Sequence, residues 1–453
     1  MRARTAILPF VFVLFLTSLT TGQQRTSQER NIGLLDGSQL IQLPTPQNGD
    51  VTGADLVVLG DILVTGSPSM DDGSPQGDTG RADVFKWNPD LEEWEHQTSL
   101  GGLLPAFEIN SDFEFGYSVD MHGDTIIVGA PGATNSSGVS TGRAYLFRRF
   151  LSGENDAWEH VDTLDHGSGI ANSRFGENVA LNDSYAFVCA LNDVNSSGGN
   201  GQVWSIGITR SNSGPRLVPV PDTGRNTILN NWGVGLDYQD AVLGIGGPTS
   251  ENDGMTTGAA VAYPCVNDTP QPRQLIIPPE SWRSNSGNFG QSITYSSGRL
   301  MIGVPNIGAI QGAVLSYGED KITGEWQFNE AIVDADDALI TLFGWSVAMY
   351  GDLMVVGAPY GGLSVSGHAT VFRYSPTAEE WVLENVLNPE IAAVADWSGR
   401  SVGVCELGVM VASPFLDVGS FDAMEVGGVF FYQKTDGQWQ SDIRETLPIR
   451  LAN

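Results

Sequence analysis

The chain has 453 residues, 41% of them apolar, and carries 53 Asp and Glu against 22 Lys and Arg, a formal charge of −31. Such a surface repels nucleic-acid phosphates and anionic membranes, which excludes binding driven by phosphate neutralisation. The apolar share is that of a folded core rather than a disordered chain, and 56 glycines favour short strands and tight turns over helices.

The first residues carry an export pattern. Basic Arg2 and Arg4 precede an apolar stretch from Ile7 to Leu19, followed by small Thr20, Thr21 and Gly22 and polar Gln23. Residues 1–22 read as a secretory signal peptide, too short for a comfortable membrane span, and residues 23–37 as a linker. The expectation is a secreted, extracellular protein (periplasmic or at the cell surface in a bacterium), free of the membrane after cleavage.

From residue 38 to 453 one phrase returns seven times, most clearly as Phe115-Gly116-Tyr117-Ser118-Val119 leading to Gly129-Ala130-Pro131. Gly66, Gly129, Cys189, Gly246, Gly303, Gly357 and Ala412 mark successive copies, 54 to 63 residues apart. A fixed period of this size indicates supersecondary units that bury their faces only against neighbours.

Each copy opens on a short alternating stretch such as Tyr117 to Met121, suited to a strand with one buried face. A tight turn follows, at Gly60-Asp61, Gly123-Asp124, Asn182-Asp183, Gln239-Asp240, Ser297-Gly298 and Gly351-Asp352. The next stretch is almost wholly apolar, as in Thr125-Ile126-Ile127-Val128, and reads as a strand covered on both faces. It stops at a proline in six copies (Pro68, Pro131, Pro248, Pro305, Pro359, Pro414). A variable loop leads to a third strand, and tryptophan (Trp94, Trp158, Trp326, Trp381, Trp439) marks a fourth, its indole covering the neighbouring sheet. Four antiparallel strands in seven copies describe an all-β, seven-bladed β-propeller. The stretch Leu40-Ile41-Gln42-Leu43 precedes the first copy and is expected to pair with the last blade and lock the ring.

The copies resemble FG-GAP repeats, the units of the integrin α-subunit propeller. The pairs that carry the resemblance are Phe115-Gly116 with Gly129-Ala130-Pro131, Phe289-Gly290 with Gly303-Val304-Pro305, and Phe343-Gly344 with Gly357-Ala358-Pro359. Weaker copies start at Phe175-Gly176, Trp232-Gly233, Thr52-Gly53 and Ser398-Gly399. The resemblance implies calcium in an Asp/Asn-rich loop between the first two strands, whose alternating oxygens build a shell of six to eight ligands. Here that connection is cut to a tight turn keeping one aspartate (Asp61, Asp124, Asp352), so no metal ligand or cofactor is assigned.

Gly138-Val139-Ser140-Thr141-Gly142 matches the nucleophile-elbow spacing but fills a loop between strands, where no helix follows. The five histidines show no ligand spacing. Cys189, Cys265 and Cys405 are too few for a disulfide framework, and no catalytic residue is assigned. Sequons at Asn135, Asn182, Asn195 and Asn267 offer glycan sites in turn-like stretches.

The working surface is expected on the loops between second and third strands, residues 69–80, 132–141, 192–200, 249–257, 306–311, 360–366 and 415–426, because binding is written on loops of a rigid scaffold. Asp71, Asp72, Asp193, Glu251 and Asp253 are the candidate partner-binding residues. The expected function is recognition or adhesion, without catalysis, of a protein or glycan. The alternatives are a hydrolase or lyase working at the central channel and a structural wall or matrix component.

Overall fold

The repeated phrase is explained by what it touches in the next copy. In the computed structural model, the residues described are 39–41, 49–69, 79–105, 113–135, 137–152, 155–167, 170–209, 214–220, 227–267, 269–271, 275–307, 312–334, 341–361, 366–389, 395–417, 426–435 and 438–439. Seven antiparallel four-stranded sheets account for most of them.

The first strands of the blades are Asp55–Leu59, Val119–His122, Phe175–Leu181, Gly235–Gln239, Ile293–Ser296, Ser346–Tyr350 and Val402–Val404. Each lies beside the first strand of the next blade, and Val402–Val404 lies beside Asp55–Leu59, so the ring closes around a central channel. The second strands are buried along nearly their whole length. In blades 1, 2, 4, 5, 6 and 7 they end at Ser67, Ala130, Gly247, Val304, Ala358 and Ser413, each the residue before its proline. A proline cannot donate to the ladder. Blade 3 has no proline there, and its second strand runs on to Val194 with an irregular register after Ala190.

The Phe-Gly and Gly-Ala-Pro segments form the joint between blades. A Cβ added to Gly66, Gly129, Gly246, Gly303 or Gly357 would lie 1.9–2.1 Å from the carbonyl oxygen of Gly116, Gly176, Gly290, Gly344 or Gly399 in the following blade. Only glycine permits that approach. The serine after Phe-Gly-x serves the same joint: the hydroxyls of Ser118, Ser292 and Ser346 donate to the carbonyls of Gly176, Gly344 and Gly399 at 2.9–3.0 Å. The aromatic residue fills the space beside it, and Phe115, Phe175, Phe289 and Phe343 are fully buried. Blades 1 and 7 carry Thr52 and Ser398 instead. Their hydroxyls meet those of Ser67 and Ser413, which stand where Ala130 and Ala358 stand in aromatic copies.

The ring is locked by the N-terminal stretch. Gln39–Ile41 pairs antiparallel with Gly428–Tyr432 and supplies the outermost strand of blade 7. Leu43 lies outside the described residues. This corrects the expected role of Trp439: the fourth place is taken, and Gln438–Trp439 forms a separate hairpin with Lys434–Thr435. Trp94, Trp158, Trp326 and Trp381 do lie in fourth strands, Glu93–Ser99, Asn155–Leu164, Trp326–Val333 and Glu380–Leu387. Trp94 of blade 1 packs edge-on against Phe431 of blade 7, with centroids 5.7 Å apart. The blade-4 hairpin is shifted by one residue, with the turn at Asp240-Ala241, both left-handed at φ 49° and 61°.

Replacing Gly303 by Ala places a methyl against the Gly344 carbonyl and the Ser292 hydroxyl. The expected loss is about 3 kcal/mol in denaturant unfolding. Gly102→Ala, where an added Cβ meets nothing within 4 Å, leaves stability within about 0.5 kcal/mol.

Candidate functional site at one mouth of the channel

The turn entering each first strand sets the site. Its opening residue is left-handed in all seven blades although none is glycine: Val51, Glu114, Arg174, Asn231, Asn288, Leu342 and Trp397, with φ of 51–61°. The Phe-Gly glycines follow at φ 86–103°, and the amide two residues after the aromatic position donates back to the opening carbonyl at 3.0–3.2 Å. Non-glycine residues enter this region rarely, so a sevenfold recurrence means that the joint between blades imposes it.

The turn delivers one residue to the channel mouth in each blade: Ala54, Tyr117, Glu177, Val234, Gln291, Trp345 and Arg400, of which Glu177 is buried and the other six half-buried. Each first strand begins at the end where the antiparallel second strand stops. The mouth therefore opens on the face that bears the long loops between second and third strands.

Several of these side chains meet. Tyr117 hydrogen-bonds Glu177, and Arg174 pairs with Glu177 and, at 3.1 Å, with Glu114. The Arg174 guanidinium also lies over the Tyr117 ring, 5.2 Å from its centroid. Arg400 of blade 7 rests on Trp345 of blade 6 at 5.1 Å and interacts across blade 1 with Tyr117. Blade 1 contributes only the methyl of Ala54 between them, which leaves that approach open.

Burial drives the titration of these groups. It raises the Glu177 carboxyl, partly opposed by Arg174 and the Tyr117 hydroxyl. It raises the Tyr117 phenol as well, helped by the Glu177 charge. Burial works against the Arg174 cation, yet Glu177 and Glu114 outweigh it and hold that guanidinium above its usual value.

Deeper in the channel stand three aspartates. Asp55 accepts from Val119 N–H at 2.9 Å, Leu56 N–H at 3.0 Å and the Ser401 hydroxyl at 3.3 Å. Asp120 accepts from Leu181 N–H at 2.6 Å. Burial, then repulsion from Asp237 and Asp55, pushes Asp120 well above the carboxylate range, and burial lifts Asp237 to about 6. Towards the other mouth side chains cross the channel. Gln239 of blade 4 donates to the Met349 carbonyl of blade 6 at 3.2 Å, and His122 of blade 2 stacks edge-on with Tyr238 of blade 4 at 6.0 Å.

The residues expected to bind a partner are not brought together. Asp71 and Asp72 lie outside the described residues. Asp193 is 2% exposed and faces His166, its carboxylate 3.9 Å from Nε2, where burial and not solvent access governs it. Glu251 and Asp253 lie on a hairpin of Glu251–Asn252 with Met255–Thr256, Asp253 being exposed. Two sequons are buried: the Asn195 amide donates to the carbonyls of Asn200, Gly201 and Leu229, and Asn182 caps its own hairpin by accepting from Ser184 and Tyr185 N–H. Asn135 is half-buried and Asn267 exposed.

The turn aspartates do not fit a calcium shell. Asp61 faces Lys86 at 3.8 Å and Asp352 binds Arg373 at 2.8 Å. Among the described residues no three His, Cys, Asp or Glu side chains are grouped to hold a metal ion, and no helix is long and apolar enough to cross a membrane.

The mouth residues were missed because they stand at a position of the repeated phrase whose identity differs in every copy. Their signal was that variability itself, with Tyr117, Glu177, Trp345 and Arg400 differing in type at one aligned position.

The FG-GAP repeat family matches residues 106–147 and 326–372. No curated protein matches the chain. Among solved structures, the periplasmic gluconolactonase of Pseudomonas aeruginosa is similar at 12% identity and TM-score 0.50, over 86% of this chain and 95% of that one. A putative 6-phosphogluconolactonase from Bacteroides uniformis is similar at 12% identity and TM-score 0.48, over 84% and 95%. At such identity the likeness to the gluconolactonase is one of fold alone.

Because the folded-state value of Asp237 is raised, its stabilising contribution is complete below about pH 4 and is lost as pH rises through about 6. Asp237→Asn is expected to flatten the stability profile between those values and to gain up to about 3 kcal/mol at pH 7. Denaturant unfolding across that range is the check.

Proposed function

We propose that this FG-GAP repeat propeller is an exported recognition protein that holds a protein or glycan partner at the loop-bearing mouth of its channel, without turning it over. One observation carries the reading. In the seven superimposable turns the fold dictates the backbone, the aromatic or hydroxyl filler and the glycine, yet the residue presented to the mouth is different each time: Ala54, Tyr117, Glu177, Val234, Gln291, Trp345, Arg400. A ring free of fold constraint and chemically different at every step suits a ligand that is itself asymmetric. The export pattern of residues 1–22 supports an extracellular or periplasmic setting, and the excess of acidic residues supports a partner that is not nucleic acid.

A second reading, a hydrolase at the same mouth, is favoured by Glu177, which burial holds towards its protonated form beside the Tyr117 hydroxyl. It requires release of a product from a bound compound.

The test is capture by the chain lacking residues 1–22 on arrays of glycans and extracellular peptides. The wild type is expected to hold a restricted set of ligands intact, and Tyr117→Ala/Gln291→Ala to weaken them about 10-fold or more while the protein stays folded. Equal binding by the double variant, or a wild type that captures nothing, contradicts the proposal.

A further inference from the structure

The cations near the mouth divide into two kinds. Arg174 has its carboxylates, Glu177 and Glu114. Further out, Arg81 has Asp83. Arg400 has none within ion-pair distance among the described residues; it has the Trp345 ring beneath it and charge neighbours at longer range. The carboxylate that bears on it, Asp55, is already engaged by two backbone N–H groups and the Ser401 hydroxyl. Burial also raises Asp55 towards its neutral form, which weakens it as a counter-charge. The indole N–H of Trp345 is buried without an acceptor.

A guanidinium desolvated against an aromatic face and lacking a counter-ion is costly unless an anion completes it. Its planar fork suits a carboxylate, which accepts two parallel hydrogen bonds. Around it the ring offers hydroxyl-seeking groups (Glu177, the Tyr117 phenol, Gln291) and flat aromatic surface (Trp345). We infer that the channel mouth binds a polyhydroxylated carboxylate, a sugar acid either free or at the end of a glycan, with its carboxylate on Arg400 and its hydroxyls towards Tyr117, Glu177 and Gln291. The inference rests on the recognition reading and names the ligand class of that same site. The surrounding charge of −31 adds discrimination, because an anion is repelled everywhere except where an uncompensated cation waits.

The experiment is calorimetric titration of the chain lacking residues 1–22 with D-glucuronate, its methyl ester, glucose, and an oligosaccharide ending in glucuronate. Glucuronate or the oligosaccharide is expected to bind about 10-fold or more tightly than glucose and the ester, and Arg400→Gln to abolish that preference. Arg400→Lys keeps the charge without the fork, so it should retain a reduced preference and carries the test if the Gln variant fails to fold. Binding of free glucuronate identifies the free acid as the source; binding of the oligosaccharide alone identifies a glycan terminus. Wild type that binds glucuronate no better than glucose, or a preference unchanged in Arg400→Gln, overturns the inference. Capture of neutral or cationic ligands on the arrays, together with that result, leaves recognition standing and removes only the anionic class.

Discussion

The ring depends on one contact, the seating of a glycine Cα against the carbonyl oxygen of the next blade's Phe-Gly glycine. At five junctions a single methyl would close that distance to 1.9–2.1 Å. Around it the phrase assembles itself. Serine satisfies the carbonyl, phenylalanine fills the volume beside it, and the turn before the aromatic is driven into a left-handed backbone even at Glu114, Leu342 and Trp397. Two junctions are built otherwise. Cys189 and Ala412 replace the glycine, and there the facing Gly233 and Gly53 have no room for a side chain of their own. At these two junctions the Phe-Gly glycine alone lacks a Cβ, where at the other five both partners do.

This constraint explains where chemistry is free to vary. The Phe-Gly glycine and the left-handed turn before it are held in all seven copies, and the residue just past them is not. The consequence is a rigid circle of seven positions whose backbone is fixed and whose side chains are open to choice. Beneath it burial raises Asp55, Asp120 and Asp237, with repulsion from the other two adding to it at Asp120, and the far end is crossed by Gln239 and by His122 with Tyr238. The loop-bearing mouth is therefore the end at which we propose that a ligand binds.

Much of the fold was legible because its determinants are local. Proline stops, positive-φ turn residues and the alternation of apolar stretches act over a few residues and recur in phase. What failed was decided by distant chain. Trp439 looks like every other fourth-strand tryptophan, and only the arrival of Gln39–Ile41 at the blade's edge displaces it. Asp193 reads as a loop acid, but the extended second strand of blade 3 carries it into contact with His166. The mouth was the least legible part. Tyr117, Glu177, Trp345 and Arg400 come from four different blades, and their meeting is a property of ring closure that no local window contains.

The central claim is that the fold is indifferent to which residue stands at each mouth position while ligand recognition is not. Exchanging two of them, Tyr117→Gln with Gln291→Tyr, keeps the composition of the ring and changes only its order. Melting and ligand capture measured together on that variant give the direct test. The account predicts a melting temperature within about 3 °C of wild type and loss of the wild-type ligand. A fall of about 10 °C or more, or unaltered capture, would contradict it.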